Sequence, residues 1–307
     1  MLRLSKIKTR PSALWAFLIP SVVLIGLFFF VPVVLTFLIS LTSMDYSFRW
    51  DWIGLENYVK IITDPWAPKI LTNTFFYVGL TLSCFNVGLA LLLAIITTHI
   101  NEKVGAAIRA IWLLPRITPP AVYALLWLWA TRRESSSLFN WVLGFFGIEP
   151  IEWKLQYPWL IVILVNGFVG ASFGMIIFTA ALKNISRDVI WAAKVDGAST
   201  LQIIRHIELP LIKWPILFVT TYQTLSLLTS FEYILLTTGG GPGLYTTEVW
   251  ALYAYDLAFR QYGGISYFGY GASLAVFLVI IGIIASVLYL KLFRFRELML
   301  EPKIEVR

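Results

Sequence analysis

Six long apolar runs restrict the fold of this chain more than any other feature of its sequence. The runs cover residues 13–41, 72–98, 107–131, 158–182, 213–237 and 267–292. A helix that crosses a bilayer needs about 20 mostly apolar residues, and each run reaches that length. Because backbone polar groups in lipid must bond within the protein, the runs predict an all-α polytopic membrane protein with six transmembrane helices.

The overall composition excludes a water-soluble protein of this size. Hydrophobic residues make up 59% of the 307 residues and charged residues only 13%, whereas soluble proteins average about 45–50% and about 25%. The chain has one cysteine, Cys84, and two histidines, His99 and His206. So few metal-binding side chains argue against a zinc or haem site, and we expect this chain to bind no metal and no cofactor.

Lysine and arginine are distributed unevenly between the two sides of the predicted membrane protein. The side of both termini carries 17 of them, with Arg116 counted there, and the other side carries seven. Because cytoplasmic segments hold the excess of basic residues, we expect a multi-pass protein of the cell membrane with both termini cytoplasmic. This bias accounts for the net charge of +7, which therefore indicates a lipid environment and no nucleic-acid partner.

The chain has no linker or low-complexity stretch that would separate domains. Its basic N-terminus is like that of a signal peptide, but the apolar core that follows is too long for a cleaved one, which indicates an uncleaved first helix. We expect a cytoplasmic tail at 1–12, a transmembrane domain at 13–293 and a second cytoplasmic tail at 294–307. Three prolines between 115 and 120 should bend the third helix, either as a packing kink or beside a cavity.

The segment of residues 183–213, on the predicted inner side, begins with the signals of a helix and a turn. Residues 187–195 suit a helix. Asp196-Gly197 suits a turn that ends this helix, because glycine readily adopts positive φ.

The same segment continues with the signals of a second helix. Ser199 and Gln202 fit a capping box at its start, and Pro210 should end it near Leu209. The segment is therefore either an amphipathic hairpin on the membrane surface or a compact docking surface for another protein.

Residues 183–213 resemble the EAA loop of the permease subunits of binding-protein-dependent ABC importers, whose pattern is roughly E-A-A-x3-G-x9-I-x-L-P. The matching residues are Ala192-Ala193-x3-Gly197 and Ile207-x-Leu209-Pro210. Two positions depart from the pattern, since Trp191 replaces the usual glutamate and Ser186 stands where sugar permeases commonly have proline. The missing glutamate removes an anchoring charge from the docking surface, and the detailed contact there is therefore open.

Other segments resemble the maltose-type sugar permeases within this family. The similar segments are Thr238-Gly-Gly-Gly-Pro242, Thr246-Thr247-Glu248, Tyr253-Ala254-Tyr255, Ile53–Tyr58 and Leu114-Pro115 through Trp127. Together they extend the resemblance to about residues 50–290. The resemblance implies the ABC importer permease fold, with the EAA loop inside the cell as a coupling helix.

In the family this loop docks on a separate ATPase subunit. The residues that the resemblance assigns to docking are Trp191, Ala192, Ala193, Asp196, Gly197, Ala198 and Ser199. Small residues would allow close approach there, so a bulky replacement of Gly197 should hinder docking. The resemblance implies four kinds of partner: a second homologous permease, two ATP-binding subunits that use ATP and Mg, an external sugar-binding protein and membrane lipid.

No nucleotide-binding motif is present, so we expect the chain itself not to be an enzyme. The pattern G-x-x-x-x-G-K-[ST] is absent, and Gly239–Pro242 lacks the lysine and hydroxyl residue of a phosphate loop. That glycine-rich stretch is either a flexible outer turn or, by the resemblance, a segment near the incoming binding protein.

Polar residues of the fifth run are candidates for the substrate path. They are Tyr222, Gln223, Ser226, Thr229, Ser230, Glu232 and Tyr233. Glu232 is the only acidic residue in a run, and an intramembrane carboxylate is by default a functional candidate, although this one lies near the outer edge and could reach water. With Arg116 counted on the inner side, no cationic group is evident in the path within the runs, which favours a neutral sugar. Asn166 and Ser172 are weaker candidates, and we expect Cys84 and Asn86 to serve packing.

Two other functions are open on the sequence. One is a stand-alone secondary transporter of a small polar solute, although a single intramembrane carboxylate offers little for an ion relay. The other is a membrane-embedded enzyme such as a glycosyl transferase, for which Asp188 and Asp196 would be the paired acids. ATP dependence of uptake distinguishes the importer from the secondary transporter. A chemical change of the substrate would identify the enzyme.

Overall fold

The computed structural model describes residues 11–260 and 267–293, and within these ranges the regular structure is helical. Thr42 and Trp52 form one isolated β-bridge. Most of the expected cytoplasmic tails, residues 1–10 and 294–307, lies outside the described residues.

Eighteen α-helices and three π-helical segments make up the described chain. In chain order the α-helices are α1 Pro11–Ile25, α2 Val31–Ser40, α3 Glu56–Thr63, α4 Ala67–Thr81, α5 Ala90–His99, α6 Glu102–Trp112, α7 Leu114–Ile117, α8 Pro120–Ala130, α9 Leu138–Gly144, α10 Trp153–Gln156, α11 Pro158–Lys183, α12 Arg187–Val195, α13 Thr200–Ile203, α14 Leu209–Leu211, α15 Lys213–Thr229, α16 Glu232–Thr237, α17 Trp250–Phe259 and α18 Phe268–Leu292. The π-helical segments are Gly26–Phe30, Leu82–Leu89 and Ile204–Glu208.

Four continuous helical stretches are long and apolar enough to cross a membrane. They are Leu18–Ser40, Ala67–His99, Pro158–Lys183 and Phe268–Leu292, and they correspond to the first, second, fourth and sixth apolar runs. The first two are continuous because π-helical segments join α1 to α2 and α4 to α5.

The third run forms a sharply bent pair of helices. Glu102–Ile117 and Pro120–Ala130 meet at 101°. Thr118, with ψ of 132°, is extended, as expected for a residue before proline, because the proline ring disfavours the helical conformation there. Pro119 is extended as well, and Pro120 begins α8. The prolines therefore break this helix rather than only kink it.

The fifth run is also divided into two helices. α15 ends at Thr229, and Ser230 adopts an extended ψ of 116° before α16 begins at Glu232. With four long stretches, one bent pair and this divided run, the expected number of six spans stays a prediction.

Among the described residues, the larger of two compact units contains Asp64–Tyr253 and residues 277–293. α11 is its most buried span, since 61% of the residues in its most apolar 18-residue stretch are buried. A Cβ on Gly170 would collide with the Asn86 side chain, and one on Gly174 would collide with the Asn86 carbonyl oxygen. Glycine therefore lets α11 approach the second span closely. Asn86 is a buried packing residue, as expected, whereas Cys84 is exposed.

The described part of the smaller unit contains residues 11–63, 254–260 and 267–276. Its polar anchor is Asn57, which is buried and donates hydrogen bonds to the carbonyl oxygens of Ser40 and Thr42 at 2.9 and 2.8 Å. These bonds attach α3 to the end of α2. In contrast to this anchor, the apolar window within Leu18–Ser40 has no buried residue in the described structure.

Candidate functional site

The segment of residues 183–213, called the coupling loop below, begins with the predicted helix. α12 covers Arg187–Val195, and Ser186 caps it by accepting a hydrogen bond from the Asp188 amide at 3.3 Å. A serine at this position satisfies an amide that has no partner inside the helix. Serine can therefore begin this helix although sugar permeases commonly have proline there.

Gly197 ends α12 in the left-handed conformation, with φ of +81°. The Gly197 amide donates to the Lys194 carbonyl oxygen at 3.1 Å, and the Ala198 amide donates to the Ala193 carbonyl oxygen at 2.9 Å. These two bonds form a Schellman motif, which commonly uses glycine because a Cβ is disfavoured at positive φ. Apart from Gly197 and its two chain neighbours, no described residue has an atom within 4 Å of where a Gly197 Cβ would stand. The backbone conformation, and not a lack of space, therefore favours glycine here.

The second helix starts at the predicted capping box. The Ser199 hydroxyl accepts from the Gln202 amide at 3.4 Å, and the Gln202 side chain accepts from the Ser199 amide at 2.7 Å. The prediction that this helix ends near Leu209 was wrong, because the helical backbone continues to Leu211 through the π-helical segment Ile204–Glu208. The wider π turn leaves room for Pro210, which has no amide to donate and whose ring would crowd a regular α turn.

The coupling loop presents apolar side chains on its surface. Trp191 is 57% exposed, Val195 87% and Leu201 73%. The other residues assigned to docking lie beside them: Ala192, Asp196, Gly197 and Ser199 are exposed, and Ala193 and Ala198 are half-buried. Exposed apolar residues on a polar loop are typical of a surface that another molecule covers.

Three candidates for the substrate path use their polar groups within the protein. The buried Gln223 amide donates to the Gly170 carbonyl oxygen at 2.8 Å. Ser230 accepts a hydrogen bond from Asn166 at 2.7 Å, and Asn166 also donates to the Tyr77 hydroxyl. Thr229 donates to the carbonyl oxygen of Leu225 in its own helix at 3.1 Å.

The structure gathers other polar and aromatic side chains into a partly exposed patch, called the aromatic patch below. Tyr222 stacks on Phe173, with ring centroids 4.8 Å apart. The Arg116 guanidinium lies 5.0 Å from the centroid of the same Phe173 ring. Tyr233 meets Tyr123 edge to face at 6.0 Å.

Charge and hydroxyl groups border the aromatic patch. The charges of Glu232 and Arg116 both act on the Tyr233 hydroxyl, and both side chains are exposed. Ser226 is exposed four residues after Tyr222 on α15, which places the two on one helix face. Aromatic rings, hydroxyl groups and charged groups in one patch can stack on and hydrogen-bond to a polar ring compound.

Arg116 is the residue of this patch that sequence reasoning missed. It was counted on the inner side, yet it contacts Phe173 near the middle of α11. The prediction that no cation lies within the runs was therefore wrong. The prolines on both sides of Arg116 were the available signal, because a break in a helix at membrane depth requires a cavity or protein around it.

Residues 238–248, called the glycine-rich segment below, are held in place by many hydrogen bonds. The Thr247 hydroxyl bonds the Thr238 hydroxyl at 2.8 Å and donates to the Gly241 carbonyl oxygen at 2.7 Å. Asn73 of α4 donates to the carbonyl oxygens of Tyr245 and Glu248 at 2.9 and 3.0 Å. These bonds order the turn and favour the alternative that the sequence left open, a segment near the incoming binding protein.

The described residues 11–260 and 267–293 contain no group of three or more histidine, cysteine, aspartate or glutamate side chains that could hold a metal ion.

Comparison with known proteins identifies a family for the matched region. Residues 86–296 match the family described as "Binding-protein-dependent transport system inner membrane component". The trehalose/maltose transport system permease protein MalF of Thermococcus litoralis is 30% identical over 303 residues, which cover 95% of this chain and 98% of that protein. The lactose transport system permease protein LacF of Rhizobium radiobacter is 28% identical over 291 residues, which cover 92% and 94%.

A solved structure has the same fold. A chain of a bacterial ABC transporter that imports the acidic polysaccharide alginate aligns with a TM-score of 0.79 and 24% identity, covering 92% of this chain and 95% of that one. The described helices therefore have the fold of an ABC importer permease.

Proposed function

Because this chain belongs to the family of inner-membrane components of binding-protein-dependent transport systems, we propose that it is the permease subunit of an ATP-driven sugar importer. The observation that carries the choice of sugar is the similarity, over 95% of the chain, to a relative named for trehalose and maltose transport. A second relative is named for lactose transport. The chain is a multi-pass membrane protein of such a transport complex, and we infer that both its termini are cytoplasmic.

The aromatic patch supports a sugar path. The exposed Tyr222, stacked on Phe173, offers a flat apolar surface to a sugar ring. Ser226, Glu232 and Tyr233 add groups that can hydrogen-bond to sugar hydroxyls. Charged groups at membrane depth face a water-filled cavity or another protein rather than lipid. The charges of Arg116 and Glu232 therefore support a position of this face on the path or beside the second permease.

The coupling loop supports docking on an ATPase. Trp191 and Val195 of α12 form an exposed apolar surface, and the Schellman motif at Gly197 fixes the direction in which the chain leaves it. We infer that two ATP-binding subunits hydrolyse ATP with Mg and that one of them covers this surface. Trp191 would supply apolar contact where the family has a glutamate charge.

The proposed mechanism is alternating access. An external binding protein delivers the sugar to the outer face, which includes the ordered segment around Thr247. ATP binding moves the coupling loops of two related permeases and opens the path outward, and hydrolysis returns it to the inward state. Each ligand biases these states only by its different affinity for them.

Purification of this chain from its native membrane, with identification of the accompanying proteins, tests the proposal. We expect a P-loop ATPase and a second related permease to accompany it. The complex is then reconstituted in liposomes with its binding protein. It should transport a labelled disaccharide only when ATP is present on the side of the membrane that carries the ATPase. Uptake driven by an ion gradient without ATP would instead establish a secondary transporter, and a chemically changed sugar would establish an enzyme.

A further inference from the structure

Charged side chains attach both ends of the coupling loop to one part of the molecule, the turn between α5 and α6. This turn, called the α5–α6 corner below, covers residues 97–109. One attachment lies at the beginning of the coupling loop and the other near its end.

The first attachment is an ion-pair network around Glu102. Its Oε1 accepts hydrogen bonds from Lys183 Nζ at 2.6 Å and from Arg109 at 2.7 Å. The same Arg109 donates to the Thr97 carbonyl oxygen at 2.9 Å, and its side chain is only 14% exposed. The network therefore joins the last residue of α11 to both helices of the corner.

The second attachment is the pair of His99 and Glu208. His99 Nε2 lies 3.3 Å from Glu208 Oε1, and His99 Nδ1 lies 2.9 Å from the Ile95 carbonyl oxygen. A carbonyl oxygen only accepts, so Nδ1 carries a hydrogen, and the contact with Glu208 needs one more proton on either side chain. Glu208 is buried, and its Oε2 has no hydrogen-bond partner among the described residues. The contact of Oε1 with His99 is therefore the polar side-chain contact of this carboxyl group within the described chain.

An apolar cluster lies between the same elements. It contains Ala94 of α5, Leu182 of α11 and Ile212 next to α14, all buried, with Ile95 and Leu209 packed against them. The two helices of the corner also approach each other closely, since a Cβ on Gly105 would collide with the Thr97 carbonyl oxygen. The corner is therefore a compact body rather than a loose connection.

The corner continues directly into the bent third span. α6 starts at Glu102 and leads through α7 to the bend at Thr118. The Ser172 hydroxyl donates to the Trp112 carbonyl oxygen at 2.6 Å, so the end of α6 is bonded to the middle of α11. Beyond that point lies Arg116 in the aromatic patch.

We propose that these two attachments make the α5–α6 corner move together with the coupling loop, so that the ATPases act on the bent third span and its aromatic patch through this corner. A single attachment would leave the coupling loop free to pivot, whereas one at each end fixes its orientation to the corner. Lys183, Glu102, His99 and Glu208 are thus positioning residues for transport. The inference rests on the proposed function.

Removing one charge at each end tests the inference in the reconstituted complex. For Lys183→Gln with Glu208→Gln, we expect the ATPase to co-purify as with the unchanged chain and binding-protein-stimulated ATP hydrolysis to persist. Sugar transported per ATP hydrolysed should fall by about fivefold, at the low end of typical coupling between sites. Each single variant should lose less than the double variant. Lys103→Gln, which removes an exposed lysine from the same corner, is the matched control and should transport normally.

Cross-linking provides a second test that does not depend on weakening the fold. In a Cys84→Ser background, Lys183→Cys and Glu102→Cys joined by a short bis-thiol reagent should still transport sugar, because the joined residues move together. Inactivation by that cross-link, or an unchanged ratio of sugar to ATP in the double variant, would overturn the inference. Failure of the unchanged complex to bind an ATPase would instead overturn the proposed function.

Discussion

At the scale of single residues, the positive φ of Gly197 decides the shape of the coupling loop. We predict that Gly197→Val reduces ATP-driven uptake strongly, because holding an L-residue in the left-handed conformation costs about 1–2 kcal/mol and a β-branched side chain fits there least well. The measurement is uptake into liposomes together with recovery of the ATPase on the purified chain. The space around Gly197 is open within this chain. In a variant that still folds, a bulky side chain at this position would therefore clash only with the docked partner.

The control for this prediction is Gly197→Asn. Asparagine adopts the left-handed conformation more readily than other L-residues, so this variant should keep most of the uptake. Equal loss in both variants would show that the space at Gly197, rather than its φ, is what docking requires.

The pair of Glu208 and His99 predicts a pH dependence. Burial raises the pKa of Glu208, and the charge of His99 opposes that rise. Since the folded pKa lies above the unfolded one, the stabilisation associated with the protonated carboxyl is present at low pH and is lost as the pH rises through the folded pKa. His99→Gln removes the opposing charge, so this variant should be less stable at neutral pH and recover toward the unchanged protein on acidification.

Melting temperatures of the detergent-purified chain across the acid and neutral range measure this effect. In the variant that combines His99→Gln with Glu208→Gln, the part of the pH dependence due to this pair should be absent. A pH-independent difference between His99→Gln and the unchanged chain would contradict the assigned contact.

At the scale of elements, the glycine-rich segment depends on one side chain of α4. Asn73 donates to carbonyl oxygens of that segment. We predict that Asn73→Ala loosens it, at a cost of roughly 1–3 kcal/mol for groups left without their partner. Stimulation of ATP hydrolysis by the binding protein should then fall, while hydrolysis without the binding protein is retained.

The matched control for Asn73 is Thr72→Ala on the same helix. The exposed Thr72 hydroxyl donates to the Pro68 carbonyl oxygen of its own helix at 2.8 Å, so its removal should leave the stimulation unchanged. Normal stimulation in Asn73→Ala would show that the glycine-rich segment does not take part in the contact with the binding protein.

Elements whose signals are local followed the sequence closely. The helix at 187–195, the turn at Gly197 and the capping box at Ser199 were predicted, because each depends on residues within one or two turns of each other. The end of the second helix was not predicted. The π-helical segment before Pro210 accommodates this proline, which would otherwise break the helix. The bend of the third span was foreseen as a kink, but its size was not.

At the scale of the whole molecule, the aromatic patch makes Arg116 a test of the substrate path. We predict that Arg116→Gln raises the KM for sugar uptake by at most roughly thirtyfold. The lost cation–π contact with Phe173 is worth about 0.5–2 kcal/mol, and its loss loosens the ring on which Tyr222 stacks. Arg116→Lys should be intermediate, because it keeps the charge and loses the flat guanidinium. Glu232→Gln should likewise change the KM or the range of sugars.

Uptake kinetics for several labelled sugars provide the measurement. The control is Arg49→Gln, which removes an exposed arginine from the segment between α2 and α3. An unchanged KM for both Arg116 variants, with normal amounts of complex, would place Arg116 against the second permease rather than on the path.

The sequence by itself determined that this chain is a membrane permease with a helix–turn–helix between its fourth and fifth apolar runs. Length, apolarity, basic-residue bias and capping are properties of short segments, and they act whatever the rest of the chain does. Only the tertiary structure decided which residues share a site. Glu102 meets Lys183 across 81 residues, and Arg116 meets Phe173 in the middle of another span. Such contacts depend on how helices pack and where they break, which no local pattern in the chain specifies.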